Sequence, residues 1–173
     1  MFPGCDYDTI TAEAYAARER GSSVMFYPFL NGPGGPNLYQ EATGCFYGAS
    51  LASTRGDFAL AVLEGVAFQI KVILEAMEAY GNVDTLVLFG GGSKGERWCQ
   101  IIADVTGLEL TVPVTSEAAG AGAAIMAGQG VGHFSRENPP SIPYGKKYLP
   151  GVYAESYKEK YGKYCALEKK MWL

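Results

Sequence analysis

Three consecutive glycines, Gly90-Gly91-Gly92, end the apolar run Thr85-Leu86-Val87-Leu88-Phe89 and open onto Ser93-Lys94-Gly95-Glu96-Arg97-Trp98, where helical spacing begins. Residues without side chains let a flat or bulky ligand come up against the main chain, and they permit positive φ. This strand-to-helix turn is therefore the first candidate for a ligand site, although a tight turn with no ligand has the same local composition. Two chemistries suit it. Gly90, Gly92 and Gly95 match G-x-G-x-x-G after a strand and before a helix, with Glu109 roughly the expected distance on, the pattern of a dinucleotide site and of an NAD-dependent oxidoreductase. Glu109, however, stands near the start of its strand, whereas the ribose-binding acid belongs at the end, and the pattern opens mid-chain after a long helix. Glu96 in the first helical turn would also oppose a pyrophosphate by about 1–4 kcal/mol at contact range without screening, which Lys94 offsets only in part. The other chemistry sets the adenosine part of a nucleotide against the glycines, with Glu96 or Ser93 hydrogen-bonding amino or hydroxyl groups and no phosphate to repel. The acid suits this one better.

Little else in the chain suggests catalysis. The four cysteines, Cys5, Cys45, Cys99 and Cys165, are scattered with no CxxC pair, so neither a zinc site nor a redox dithiol is suggested. The single His133 sits in His133-Phe134-Ser135-Arg136, a loop by composition, with no second histidine for a metal cluster or triad. Asp57, Asp84 and Asp104 are not candidates for a catalytic base: Asp57 suits the positive end of a helix dipole, Asp84 starts a strand, and Asp104 falls opposite an apolar stripe. A net charge of −4 argues against nucleic acid, which needs a clustered basic surface. Lys158, Lys160, Lys163, Lys169 and Lys170 are interleaved with Glu155, Glu159 and Glu168, as on a solvated helix face. No apolar run reaches the ~18 residues that cross a membrane, and the first residues lack the basic start and apolar centre of a secretory signal. A cytoplasmic location is expected. A chain of 173 residues, 48% hydrophobic and 18% charged, is long enough for one domain with a real core.

The elements that must position the turn read as follows. Residues 9–20 favour a helix that Gly21 ends. Residues 24–30 are strand-like until Pro28, which cannot donate to a ladder, and residues 31–37 are a loop on composition. Gly44-Cys45-Phe46-Tyr47-Gly48 reads as a short strand between glycines. The strongest helix then runs from Thr54 as N-cap to Gly81 as C′ residue, with Phe58, Ala61, Val62, Gly65, Val66, Gln69, Val72 and Ile73 at helical spacing. Gly65 and Ala61 on its core face would allow close packing. Residues 85–89, apolar on both faces, fit a central strand of a parallel sheet covered on both sides. Trp98, Ile101, Ile102 and Val105 form the buried stripe of the next helix, which Gly107 stops. Residues 108–114 alternate as a half-exposed strand that Pro113 places near an edge. Ser116 with Glu117 starts a third helix whose Gly120, Ala121, Gly122, Ala123, Ala124 and Ala127 could bring its backbone close to a neighbour or ligand. Pro139-Pro140-Ser141-Ile142-Pro143 is a linker by composition, and a tail with Tyr153, Tyr157, Tyr161 and Tyr164 suggests a terminal amphipathic helix on the outside. The sum is an α/β domain.

Three motifs, in order, carry a resemblance. Gly44-Cys45-Phe46-Tyr47-Gly48, followed by Asp57-Phe58-Ala59-Leu60-Ala61-Val62-Leu63-Glu64-Gly65-Val66-Ala67-Phe68, resembles the C-terminal signature of the FGGY carbohydrate kinases. Phe89-Gly90-Gly91-Gly92-Ser93-Lys94, with Trp98, Gln100 and Ala103-Asp104-Val105-Thr106-Gly107-Leu108, looks like that family's adenosine motif, and Glu117-Ala118-Ala119-Gly120-Ala121-Gly122-Ala123-Ala124 is similar to its following small-residue helix. The likeness runs over residues 24–132 and is greatest to xylulokinase-like members.

What the resemblance implies is the C-terminal lobe of an actin-like ATPase (ribonuclease H-like) fold across residues 1–173, with 133–173 as linker and terminal helix. In that family two lobes close on a sugar and Mg·ATP, and the γ-phosphate passes to a hydroxyl of a pentulose or similar polyol. The catalytic aspartate, the sugar-binding residues and both phosphate loops would belong to the N-terminal lobe or lie upstream of Met1. The chain alone is then expected to be inactive, with no catalytic or metal-binding residue of its own. By carry-over Gly91, Gly92 and Ser93 would touch adenosine, Gly90 would shape the turn, Glu96 would border the base, and Gly48 would lie near the phosphates. Two departures stand out: Ala49 replaces the usual aliphatic residue after Gly48, and Asn31-Gly32-Pro33-Gly34-Gly35-Pro36 stands where relatives often carry Gly-Glu-Arg-x-Pro. A lobe without its partner exposes the apolar surface that faced it, which would let it self-associate as a homodimer. A stand-alone nucleotide-binding or assembly module is the remaining alternative.

Overall fold

Secondary structure follows the local stop and start signals closely. The computed structural model describes residue 4 and residues 6–32, 34–37, 39, 41–115 and 117–172; Cys5, Pro33 and the expected helix start at Ser116 lie outside them. Helix α1 (Tyr7–Glu19) begins at Asp6, whose carboxylate accepts the Thr9 backbone N–H at 2.7 Å, and the chain turns away at Gly21 with φ +73°. Strands β1 (Met25–Tyr27) and β2 (Cys45–Tyr47) form an antiparallel pair with Phe26 opposite Phe46, and β1 stops at Pro28 as its missing N–H requires. Helix α2 (Arg55–Met77) opens where the Asp57 carboxylate accepts both the Thr54 N–H at 2.8 Å and the Thr54 hydroxyl at 2.5 Å. A short 3₁₀ turn, Glu78–Tyr80, closes it before Gly81.

After that come β3 (Thr85–Val87), a 3₁₀ turn Gly91–Lys94, α3 (Glu96–Thr106), β4 (Glu109–Pro113), α4 (Ala118–Gly130), β5 (Tyr144–Tyr148) and α5 (Ala154–Trp172). Strands β3, β4 and β5 make one sheet in that order, β3 parallel and β5 antiparallel to β4. The two strand positions expected from pattern are therefore exchanged. Residues 108–114, expected near an edge, hold the centre, because β5 pairs across Pro113 through a register shift between Thr111 and Pro113. Residues 85–89, expected at the centre, lie at an edge among the described residues, with Val87 and Phe89 exposed. Strand β5 itself falls just after the stretch read as a linker.

The core lies where α2 meets α1, α3, β1 and α5. A Cβ at Gly65 would overlap the Phe26 carbonyl oxygen, so only glycine lets α2 come this close to β1. Helix α5 is the expected amphipathic helix, but it does more than cover the outside, because its tyrosine stripe enters the core: Tyr164 stacks on Tyr27 at 4.3 Å between ring centroids and lies tilted against Phe68 at 4.9 Å, while Tyr157 and Tyr161 also close on Phe68. Nor is its basic face wholly solvated, since Lys160 reaches the buried Glu64 at 2.5 Å and Glu168 is buried, accepting from Asn37 and Gln69. Asp104 is likewise buried rather than turned outward. It pairs with Arg18 of α1 and accepts the Gly151 N–H at 2.7 Å and the Gln100 amide at 2.8 Å, partners that satisfy a charge out of water. Helix α4 differs from expectation in another way: none of its residues is buried, and a Cβ at Gly120 or Gly122 would meet nothing within 4 Å, whereas Gly128 further along lets the Phe134 ring pack against the helix.

Candidate nucleotide site

The glycine turn does what its composition allows. Gly90 takes φ +79° and starts the 3₁₀ turn, a conformation that favours glycine. Ser93 is buried, and its hydroxyl donates to the Gly90 carbonyl at 2.7 Å while its N–H reaches the same oxygen at 3.2 Å. That hydroxyl therefore braces the turn from within. The Trp98 indole packs on Gly92, with Nε1 3.4 Å from where a Cβ would stand. At Gly91 a Cβ would meet nothing within 4 Å.

Beside the turn lies a cavity of about 780 Å³ whose wall includes Gly91, Lys94, Gly95 and Glu96 together with Tyr7 and Thr11 of α1. Two of the six residues predicted for the site, Gly91 and Glu96, thus line it. Gly90, Gly92 and Ser93 shape the turn behind them. Gly48 belongs elsewhere: it ends β2 with φ +80°, and a Cβ there would stand 3.1 Å from the Ser23 carbonyl oxygen.

Glu96 opens α3, and Lys146 of β5 reaches its carboxylate at 2.5 Å. That hydrogen bond and the ammonium charge hold the Glu96 carboxyl below its usual range, so at neutral pH it is an acceptor. Lys146 also offsets the negative charge that counted against phosphate in the sequence. Tyr7, whose phenol burial pushes up, is a donor at neutral pH and stands close to Gly95. Sequence reasoning missed Tyr7, Asp8 and Thr11, because nothing local links the first turn of α1 to a glycine turn more than eighty residues away. The dinucleotide reading loses its acid: Glu109 lies in the first register pair of β4 and is held by Lys147 at 2.7 Å.

Residues 6–130 match the model of the FGGY family of carbohydrate kinases, C-terminal domain. This chain belongs to that family. It is 36% identical over 127 residues to a probable L-xylulose kinase of Pasteurella multocida, covering 73% of this chain and 26% of the relative. It is 33% identical over 163 residues to the L-xylulose/3-keto-L-gulonate kinase of Escherichia coli, covering 91% and 32%. Among solved structures, a xylulose kinase from Bifidobacterium adolescentis superposes with a TM-score of 0.70 at 28% identity, over 92% of this chain and 32% of that one. The fold is the actin-like ATPase fold of these kinases. The chain spans about a quarter to a third of the length of the relatives it matches. Among the described residues no helix is long and apolar enough to cross a membrane.

Proposed function

We propose that this chain is the ATP-holding lobe of a carbohydrate kinase and that it grips the nucleotide by its adenosine at the glycine turn. The observation that carries this is the cavity wall itself: a glycine with open space where a side chain would be, next to a carboxylate acceptor that Lys146 also reaches. A purine and ribose offer a flat face for Gly91 and amino or hydroxyl donors for Glu96. Gly90 and Gly92 form the turn that presents Gly91, Ser93 braces it, and Gly48 stands apart at the β1–β2 pair. When bound, ATP supplies the phosphoryl group and magnesium arrives with its phosphates, as is usual for an ion that prefers phosphate and water oxygens to an all-protein cage. Phosphoryl transfer then depends on positioning and charge stabilisation, here against a second, N-terminal lobe that holds a pentulose or related polyol. The protein acts in the cytoplasm in this reading.

Calorimetric titration of the 173-residue chain tests it. ATP and ADP should bind saturably and compete with free adenosine, NAD should not bind, and no sugar should elicit ADP release from this chain alone. Adenosine failing to compete with ATP would overturn the site, and sugar-dependent turnover by the isolated chain would overturn the division of labour between lobes.

A further inference from the structure

Tyr7 is the aromatic side chain on the wall of the cavity of about 780 Å³, and among the described residues nothing hydrogen-bonds its phenol. It comes from the first turn of α1 and lies across Gly95. A Cβ on that glycine would stand 2.8 Å from the Tyr7 hydroxyl oxygen and 3.4 Å from Cε1 of its ring. Gly95 has φ −85° and ψ 97°, angles that residues with side chains also adopt, so its bareness makes room for the ring and is not required by the backbone. The hydroxyl thus stands at the middle of the wall, over the residue that separates Lys94 from Glu96. Tyr7 is 52% exposed, which leaves this hydroxyl open to a ligand without any movement of the fold.

The next wall position has the opposite hydrogen-bonding sense. Ionised Glu96 only accepts, with room for about four donors, and Lys146 takes one of those places at 2.5 Å. A phenol can donate. A donor and an acceptor therefore stand at neighbouring positions, on the same wall as the open face of Gly91. Adenine carries the complement on its edge: an amino donor at C6, flanked by the ring-nitrogen acceptors N1 and N7. Guanine has an oxygen at C6, which would meet the Glu96 carboxylate acceptor to acceptor. An unmatched charged group costs more than an unmatched neutral one.

Given adenosine on the glycine turn, the reading on which this rests, we propose that Tyr7 reads the base: its hydroxyl donates to a ring nitrogen of adenine while Glu96 accepts from the 6-amino group. Helix α1 then sets the preference for adenine over guanine, and Gly95 is bare so that the hydroxyl can stand where the base arrives.

Calorimetric titration of the 173-residue chain with adenosine, inosine, 1-deazaadenosine and 7-deazaadenosine tests this. Inosine, with an oxygen at C6, should bind at least about tenfold more weakly than adenosine. Tyr7→Phe loses no bond within the protein and should weaken adenosine by about 2- to 12-fold, the loss of one hydrogen bond. One deaza analogue, lacking the nitrogen that the phenol reaches, should bind the parent and Tyr7→Phe alike, and the other should lose as much as adenosine does. Glu96→Gln, whose amide can turn its NH₂ toward an oxygen at C6, should narrow the ratio between adenosine and inosine. Adenosine that does not bind the parent removes the site itself and this assignment with it. Adenosine that binds but is indifferent to Tyr7→Phe, deaza analogues that both lose as adenosine does, or a ratio that Glu96→Gln leaves unchanged would overturn the base reading and leave the glycine turn in place.

Discussion

Replacing Gly91 by alanine separates the fold of the glycine turn from its use. The new Cβ would meet nothing within 4 Å in the protein, and Gly91 does not have a positive φ. Stability should therefore change by less than about 0.5 kcal/mol, or rise slightly as the unfolded chain loses freedom. The methyl group would instead stand in the 780 Å³ cavity that Gly91 lines. Crowding a fitted surface by one methyl costs about 1–3 kcal/mol, and at 1.4 kcal/mol per factor of ten this lowers ATP and adenosine affinity by about 5- to 150-fold. Gly90→Ala gives the opposite pattern, because φ +79° strains any side chain by about 1–3 kcal/mol and so reduces stability first. Urea denaturation measures one quantity and calorimetric titration the other. If Gly91→Ala binds ATP and adenosine as tightly as the parent, the base does not lie on the glycine turn and the reasoning fails.

Two substitutions probe the framework behind the site. Gly65→Ala should cost stability by about 1–3 kcal/mol or more in urea unfolding, since the atom it meets is the Phe26 backbone carbonyl and cannot rotate away; the same change at Gly162, whose Cβ would meet nothing, should be neutral or stabilising by up to about 1 kcal/mol. Asp57→Ala removes the carboxylate half of the Thr54–Asp57 capping box of α2 and should cost about 1 kcal/mol at neutral pH. Burial pushes the Asp57 carboxyl up, but the Thr54 hydroxyl and N–H, with Ser22 and Arg20 nearby, hold it at about 2, below its ordinary 3.8. A depressed carboxyl stabilises above its unfolded value and loses that effect as it protonates. The gap between parent and variant should therefore close as pH falls from about 4 to about 2, and a gap that persists in acid would show that Asp57 acts by packing alone.

Where the sequence was legible, the signal was local. Thr54 and Asp57 mark the start of α2, Gly21 and Gly107 end helices with positive φ, and the glycine turn stands where its residues placed it. Where it was not, the cause lay far along the chain. Asp104 reads as an outward residue of an amphipathic helix until Arg18, 86 positions away, supplies the opposite charge. Lys160 reads as surface until Glu64, 96 positions away, is found buried beneath it. Strand β5 carries Lys146 and Lys147 on a sheet edge, where charge discourages further pairing; the same lysines hide the strand from a hydrophobic pattern search.

The candidate site divides in the same way. Its floor, Gly90 to Glu96, is continuous in sequence and was readable, but its other wall comes from α1 and depends on how α1 packs along α2, which in turn depends on Gly56, where a Cβ would stand 2.5 Å from the Glu13 carbonyl oxygen. Tyr7 reaches Gly95 only because that helix pair is close. Strand β3 makes the complementary point. Its outer edge, unpaired among the described residues, carries no lysine, proline or bulge and is guarded by its three-residue length alone, in contrast to β5 in the same sheet. Pattern rules report the burial a segment demands, and at Val87 and Phe89 that demand exceeds what the described residues supply. The excess stands in a chain that spans a quarter to a third of its relatives' length, and it shows that an apolar pattern reports what a segment would bury and not the position it takes in the sheet.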